Sequence, residues 1–332
     1  MRAVIAWLLL YAWSWLCAAS PIPVTVALPG PGNLPYLPVE LMSRIGADRE
    51  EGVEVNLRFF TGGPLALKDM LAGNSDFASL GFTALTQTEG VPGKAYAVAS
   101  MTQVPAFSLM VSSALKGRVR SVADLRGRSI GVPTGGKAGK SVGRQLAEFL
   151  LKRAGVPLEE VNFVSSGMDH QHHAAILRSG VVDALFTNEP SATALEAHGI
   201  AFRLADLHDP GATRRHFGSL YLYTHLAARA DLMRQRPDLV RRMVAALRRT
   251  LGWMERHSGQ EIAAQMGIAD PEARSHLARV IERHKGMFIG DGSFSAEAVR
   301  GSAALIQSLS PDGGTPPDLE PFIDVRWVGR RP

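Results

Sequence analysis

Between Ser121 and Gly155 the chain reads SVADLRGRSIGVPTGGKAGKSVGRQLAEFLLKRAG. The spacing predicts a helical turn at 122–125, a short buried strand at 129–132 and a glycine-rich loop at 133–139. A helix follows, with Val142, Leu146, Phe149 and Leu150 at helical spacing. A glycine-rich turn between a strand and a helix N-terminus offers unpaired backbone N–H groups, and the helix dipole makes that spot a receptor for anions. "TGGKAGKS" is not a phosphate-binding P-loop, because the first glycine of that motif falls on Thr134.

Outward from this stretch the same order of elements recurs. Strands are predicted at 22–28, 53–60, 76–80, 95–101 and 107–111, and again at 161–164 and 184–186. Asn33 and Tyr36 lie in or just after a Pro/Gly loop that follows the first strand. Gly62 and Gly63 open a helix running to Leu71, and Thr83 opens another. Residues 167–173 read as a polar loop, followed by helices at 174–179 and 191–198. Two stretches, Gly73-Asn74-Ser75-Asp76 and Gly180-Val181-Val182-Asp183, each lead into a strand through G-x-x-D. Short strands alternating with helices argue for an α/β protein with largely parallel sheets, and the repeated stretch is an internal echo rather than a solenoid repeat. A long helix is expected from Pro237 to His257. Leu239, Met243, Leu247, Leu251 and Met254 form its apolar stripe, and Arg241, Arg242, Arg248, Arg249 and Arg256 lie on other faces, read as a solvated basic surface. The Pro/Gly/Asp-rich end from 311 reads as an extended tail.

The 332 residues suffice for two domains; 46% are hydrophobic and 20% charged, a globular composition. The net charge of +5 is scattered, without the aromatic-interleaved basic stripe of nucleic-acid binders. Met1-Arg2, the apolar run 3–16 and Cys17-Ala18-Ala19 read as a secretory signal peptide cut after Ala19. Cys17, the single cysteine, lies inside it. A lipid anchor on Cys17 is the lesser alternative, because Ser14-Trp15-Leu16 lacks the small residue that usually precedes a lipidated cysteine. The mature chain then has no disulfide, no thiol chemistry and no cysteine-bound zinc. It is expected to be exported, to the periplasm.

These motifs in this order carry a resemblance: Thr61-Gly62-Gly63 with Gly73–Asp76, Val122-Ala123-Asp124-Leu125-Arg126-Gly127 before Ile130-Gly131-Val132, Gly180–Asp183, Asn188-Glu189-Pro190, and Pro237-Asp238-Leu239-Val240. The chain resembles periplasmic substrate-binding proteins of ABC importers, in the branch that takes nitrate, sulfonates, taurine and thiamine-pyrimidine precursors. The resemblance implies a type II periplasmic-binding fold. Its two α/β lobes, with helices on both faces of mixed or parallel sheets, are joined by two crossovers. The expected division is residues 20–112 plus 206–332 for the first lobe and 113–205 for the second. It further implies a monomeric receptor that holds a small solute between the lobes and delivers it to an ABC permease and its ATPase. Contact with the membrane is only through the permease, and no cofactor or metal is needed.

Ligands in such folds sit where strand ends and helix N-termini converge. The candidate ligand-binding residues are Asn33, Tyr36, Gly62, Gly63, Thr83, Thr134, Gly136, Lys137, Ser141, Asn188 and Glu189. Lys137, a cation on the anion-receiving loop, suits a sulfonate, carboxylate or phosphate. Glu189 reads two ways, as the partner of a ligand amine or as a helix-capping or lobe–lobe contact. In Asp169-His170-Gln171-His172-His173, adjacent His172 and His173 diverge, so metal binding is not expected there, and Asp169 reads as a helix cap. Tyr36 and Phe107, if they face the cleft, favour an organic solute over nitrate. An enzyme reading similar to thiamine-pyrimidine synthase ranks low without mature cysteines. A ligand-sensing domain for a membrane receptor is the remaining alternative.

Overall fold

The computed structural model describes residues 20–133, 141–167, 170–309 and 314–331. β1 (Ile22–Pro29), β2 (Val53–Phe60), β3 (Phe77–Gly81), β4 (Ala95–Thr102) and β10 (Thr224–Arg229) form one five-stranded sheet in the order β2-β1-β3-β10-β4. β5 (Ser108–Ser112), β6 (Ser129–Val132), β7 (Asn162–Ser165), β8 (Ala184–Thr187) and β9 (Ala201–Asp206) form a second, in the order β7-β6-β8-β5-β9. β1–β3 and β6–β8 pair parallel, whereas β10 and β5 pair antiparallel with both of their neighbours.

The inner strands of both sheets are buried on both faces, which is why they read as near-continuous apolar runs, whereas the edge strands β2 and β7 are partly exposed. Val24, Val26 and Leu28 of β1 join one core and Ala27 the opposite one. In the second sheet Leu109 and Val111 of β5 pack with Phe186, while Met110 packs on the other side with Leu185. The G-x-x-D echo has a physical role. Asp76 Oδ2 accepts a hydrogen bond from Thr25 N at 2.8 Å, and Asp183 Oδ2 accepts one from Ser129 N at 2.9 Å. In both cases the aspartate N–H donates back to the same residue's carbonyl. Gly73 and Gly180 supply the left-handed turn before each aspartate, with φ of 81° and 73°.

The lobe limits differ from those read in the sequence. Strand β5 hydrogen-bonds in the second sheet although residues 108–112 were assigned to the first lobe. The helix Pro210–Phe217 also belongs with the second lobe, because Phe217 and Tyr221 pack in its core. The chain therefore crosses between lobes near residues 103–107 and again near Tyr221–Tyr223. The helix Ala296–Leu309 straddles the joint, with Ala298 in a core of the first lobe and Leu305 in one of the second. The tail is not free. Asp324 N donates to Ala97 O, and the bridge between Ile323 and Ala97 covers the outer edge of β4. On the helix Pro237–Arg256 the arginine face is partly paired: Arg249 meets Glu50 at 2.9 Å and Glu51 at 2.6 Å, and Arg242 donates to Glu51 O.

Candidate functional site

In such folds ligands sit at the loops that follow the parallel strands, here those after β1, β3, β6, β7 and β8. The return crossover gathers the first-lobe candidates. Tyr223 O accepts from Phe82 N at 2.7 Å, beside Thr83, and Thr224 Oγ1 donates to Pro35 O at 3.3 Å, between Asn33 and Tyr36. Tyr36 is buried. Burial first, then the neighbouring Tyr223 hydroxyl, pushes its pKa well up, and Tyr221 is held neutral in the same way. Among the described residues, Asn33 Oδ1 and the Tyr221 hydroxyl are buried without a hydrogen-bond partner. Buried polar atoms are rarely left so. Gly62 and Gly63 open the helix Gly63–Leu71, as expected from the sequence.

On the second lobe, Thr134, Gly136, Lys137 and Asp169 lie outside the described residues. Ser141 caps the helix Val142–Arg153: its Oγ accepts from Arg144 N at 3.1 Å and donates to Pro133 O at 2.6 Å. Gly143 lets that helix approach closely, since a Cβ there would lie 2.8 Å from Pro133 Cγ and 3.1 Å from Phe107 Cε1. Phe107 stacks on Phe186 with ring centres 4.9 Å apart and meets Tyr223 edge-on at 6.4 Å, forming an aromatic base at the crossovers. Asn188 is half-buried, and its carbonyl accepts from Ala192 N.

Glu189 takes the second of its two readings. Its side chain is sealed from solvent, Oε2 caps Thr193 N at 3.0 Å, and Oε1 meets Arg203 at 3.0 Å and His284 Nε2 at 2.9 Å. His284 ends the helix Pro271–His284, whose Val280 and Ile281 pack in the first lobe, so the contact crosses between lobes. Burial works against the Glu189 charge, but the His284 hydrogen bond and the positive charge of Arg203 outweigh it and hold its pKa at about 2. Arg283 on the same helix reaches Glu196 at 2.7 Å, and His276 reaches Pro190 O at 3.4 Å. Across the cleft, Gln87 Nε2 donates to Gln145 Oε1 at 3.2 Å and ties the helix after β3 to the helix after β6.

The histidines after Asp169 sit on the helix His170–Arg178 rather than on a loop. His173 is buried, with Nδ1 2.8 Å from Ser191 Oγ, whereas His172 is exposed. Sequence reasoning missed Tyr221, Tyr223, Arg203, Asp206, His208 and His284. No local pattern marks them, because the fold brings them together from segments far apart in the chain.

This architecture of two similar sheets, crossed twice and facing each other across a cleft, is that of the periplasmic-binding fold. A family model described as "NMT1/THI5 like" matches residues 49–260, and the chain belongs to this family. A protein of Brucella abortus (strain 2308) named as a candidate binding protein is 27% identical over 207 residues, which is 62% of this chain and 59% of that protein. The match thus spans about three-fifths of the relative's length. A solved structure from Bordetella bronchiseptica RB50 superposes with a TM-score of 0.74 at 22% identity, covering 93% of this chain and 96% of that one. The alkanesulfonate-binding protein SsuA from Xanthomonas axonopodis pv. citri, bound to MOPS, gives 0.64 at 19% identity, covering 95% and 100%. At these identities the structural likeness speaks for the fold. Among the described residues no helix is long and apolar enough to cross a membrane.

Proposed function

We propose that the chain is an exported solute receptor. It closes its lobes on a small anionic organic molecule, sulfonate-like or pyrimidine-like, and passes it unchanged to an ABC permease. The observation that carries this reading is the joint itself: the chain crosses twice between two similar sheets, and beside the return crossover Asn33 Oδ1 and the Tyr221 hydroxyl are buried and unpartnered among the described residues. An aromatic base of Phe107 and Tyr223 suits an organic body. The glycine-rich loop with Lys137 supplies the anion-receiving jaw. A solute that bridges both lobes stabilises the closed arrangement by its greater affinity for it.

A thermal-shift screen of alkanesulfonates, carboxylates, aminopyrimidines and nitrate tests this reading. A solute at a hundred times its Kd adds about 2.7 kcal/mol, a rise of roughly 4 °C for a chain of this size. The solute should be recovered chemically unchanged, and Lys137→Ala should weaken an anionic solute about tenfold or more in calorimetry. No shift with any of these solutes, or conversion of a bound one, would overturn the proposal.

A further inference from the structure

Glu189, His208 and His284 form a second constellation that the solute reading does not use. Glu189 follows β8, His208 lies just beyond β9 where the chain leaves the second sheet, and His284 comes from the first lobe. All three are buried, with exposures of 2%, 1% and 3%. Each offers one ligand atom, and these atoms lie within 4.8 Å of one another. The two imidazole rings are 4.3 Å apart between centres.

The state of His208 is the informative detail. Its Nδ1 lies 2.9 Å from Asp206 Oδ1, so the carboxylate fixes the tautomer with the proton on Nδ1. Nε2 is then left with its lone pair, buried and without a hydrogen-bond partner among the described residues. A sealed acceptor costs about 1–3 kcal/mol if nothing meets it. A histidine held through one nitrogen by a carboxylate, with the other lone pair open, has the form of a metal ligand with its outer-shell partner. The local charge points the same way. With neutral imidazoles, the carboxylates of Glu189, Glu196 and Asp206 face the guanidiniums of Arg203 and Arg283, three negative charges against two positive. Arg203 on Glu189 Oε1 opposes a cation and sets a limit on affinity.

We propose that Glu189, His208 and His284 bind one zinc-class divalent ion at the lobe joint, with Asp206 orienting His208. Two imidazoles and one carboxylate suit Zn2+ or Co2+ and leave a position for water. Two ligands belong to one side of the joint and His284 to the other, so the ion favours this lobe arrangement. Its binding does not depend on which solute the cleft takes.

The test uses the full mature chain, stripped with chelator and titrated with Co2+ and then Zn2+. The expected result is one equivalent bound, with the visible d–d bands of a four- or five-coordinate Co2+ that Zn2+ abolishes. His208→Gln and His284→Gln should each remove these bands. Asp206→Asn should weaken Zn2+ about 10–100-fold, and His172→Gln, at an exposed histidine, should change nothing. If His208→Gln fails to fold by circular dichroism, His284→Gln decides. If neither folds, the bands of the wild-type chain decide. Absence of the bands in the wild type, or unchanged bands in a folded variant of either histidine, would overturn the site. A failed solute screen would leave these outcomes untouched.

Discussion

The two sheets share one plan and differ in the chemistry at the joint. In each, a central parallel strand is clamped by the aspartate of a G-x-x-D turn, Asp76 on Thr25 and Asp183 on Ser129. In each, the fourth strand in order runs antiparallel and is supplied by the chain next to a crossover, β10 in one and β5 in the other. At the first sheet the strand ends nearest the joint are neutral. Thr102 Oγ1 and Thr224 Oγ1 share a hydrogen bond at 2.8 Å, and Thr224 reaches Pro35 O. At the second sheet the corresponding region is ionic: Arg203 contacts Ser108, Glu189 and Asp206. One topology thus serves two tasks. The neutral end holds loops that present polar groups to the cleft, while the ionic end is where the helix Pro271–His284 of the first lobe docks.

Truncating the ionic end should have the largest effect. Glu189→Ala leaves Arg203 buried beside a missing carboxylate and should cost about 3–5 kcal/mol in denaturant unfolding. Thr224→Val, at the neutral end, should cost about 1–2 kcal/mol. Equal losses would erase the contrast.

Next in size is the response to acid. Burial lowers the pKa of His225 to about 3, and among the described residues neither ring nitrogen has a hydrogen-bond partner. The unfolded chain takes up this proton near pH 6.5 and the fold does not, so the contribution is complete above about 6.5 and is lost as pH falls toward 3. His208 is lowered too, by burial first, and its loss runs in the same direction. Glu189 adds a second loss as pH falls from about 4.5 to 2. Calorimetric Tm should therefore fall steadily from pH 7 to pH 4, and His225→Leu should flatten the upper part of that slope.

Of two glycines at helix starts, the second gives the smallest effect. Gly143→Ala forces a Cβ onto Pro133 and Phe107 and should cost about 1–3 kcal/mol, with weaker solute binding because the glycine-rich loop begins at Pro133. Gly63→Ala meets Ala84 Cβ at 3.5 Å, Leu80 Cβ at 3.6 Å and Gly81 N at 3.8 Å, all ordinary contacts, so it should stay within about 0.5 kcal/mol.

The α/β class, the echo and most strands were legible because the inner strands of both sheets are buried on two faces and bounded by glycine turns. β5 was placed in the wrong lobe because its apolar run, 107–111, says that it is buried but not which sheet buries it. The helix Pro210–Phe217 was missed, since only Ala212, Thr213 and Phe217 are buried along it. The loops carrying Asn33, Tyr36 and Thr83 could be named from strand–helix order alone. The ionic joint could not: Glu189 and His284 are 95 residues apart, and only tertiary packing makes them neighbours.

Lobe closure on solute is the central claim, and residues 87 and 145 report on it most directly. Their side chains meet across the cleft at 3.2 Å, and residues 20–332 contain no cysteine to interfere with labelling. Spin labels on Gln87→Cys and Gln145→Cys, measured with and without a solute that raises Tm, should shift to one short, narrow distance when solute binds. A distance distribution unchanged by saturating solute would contradict the clamp.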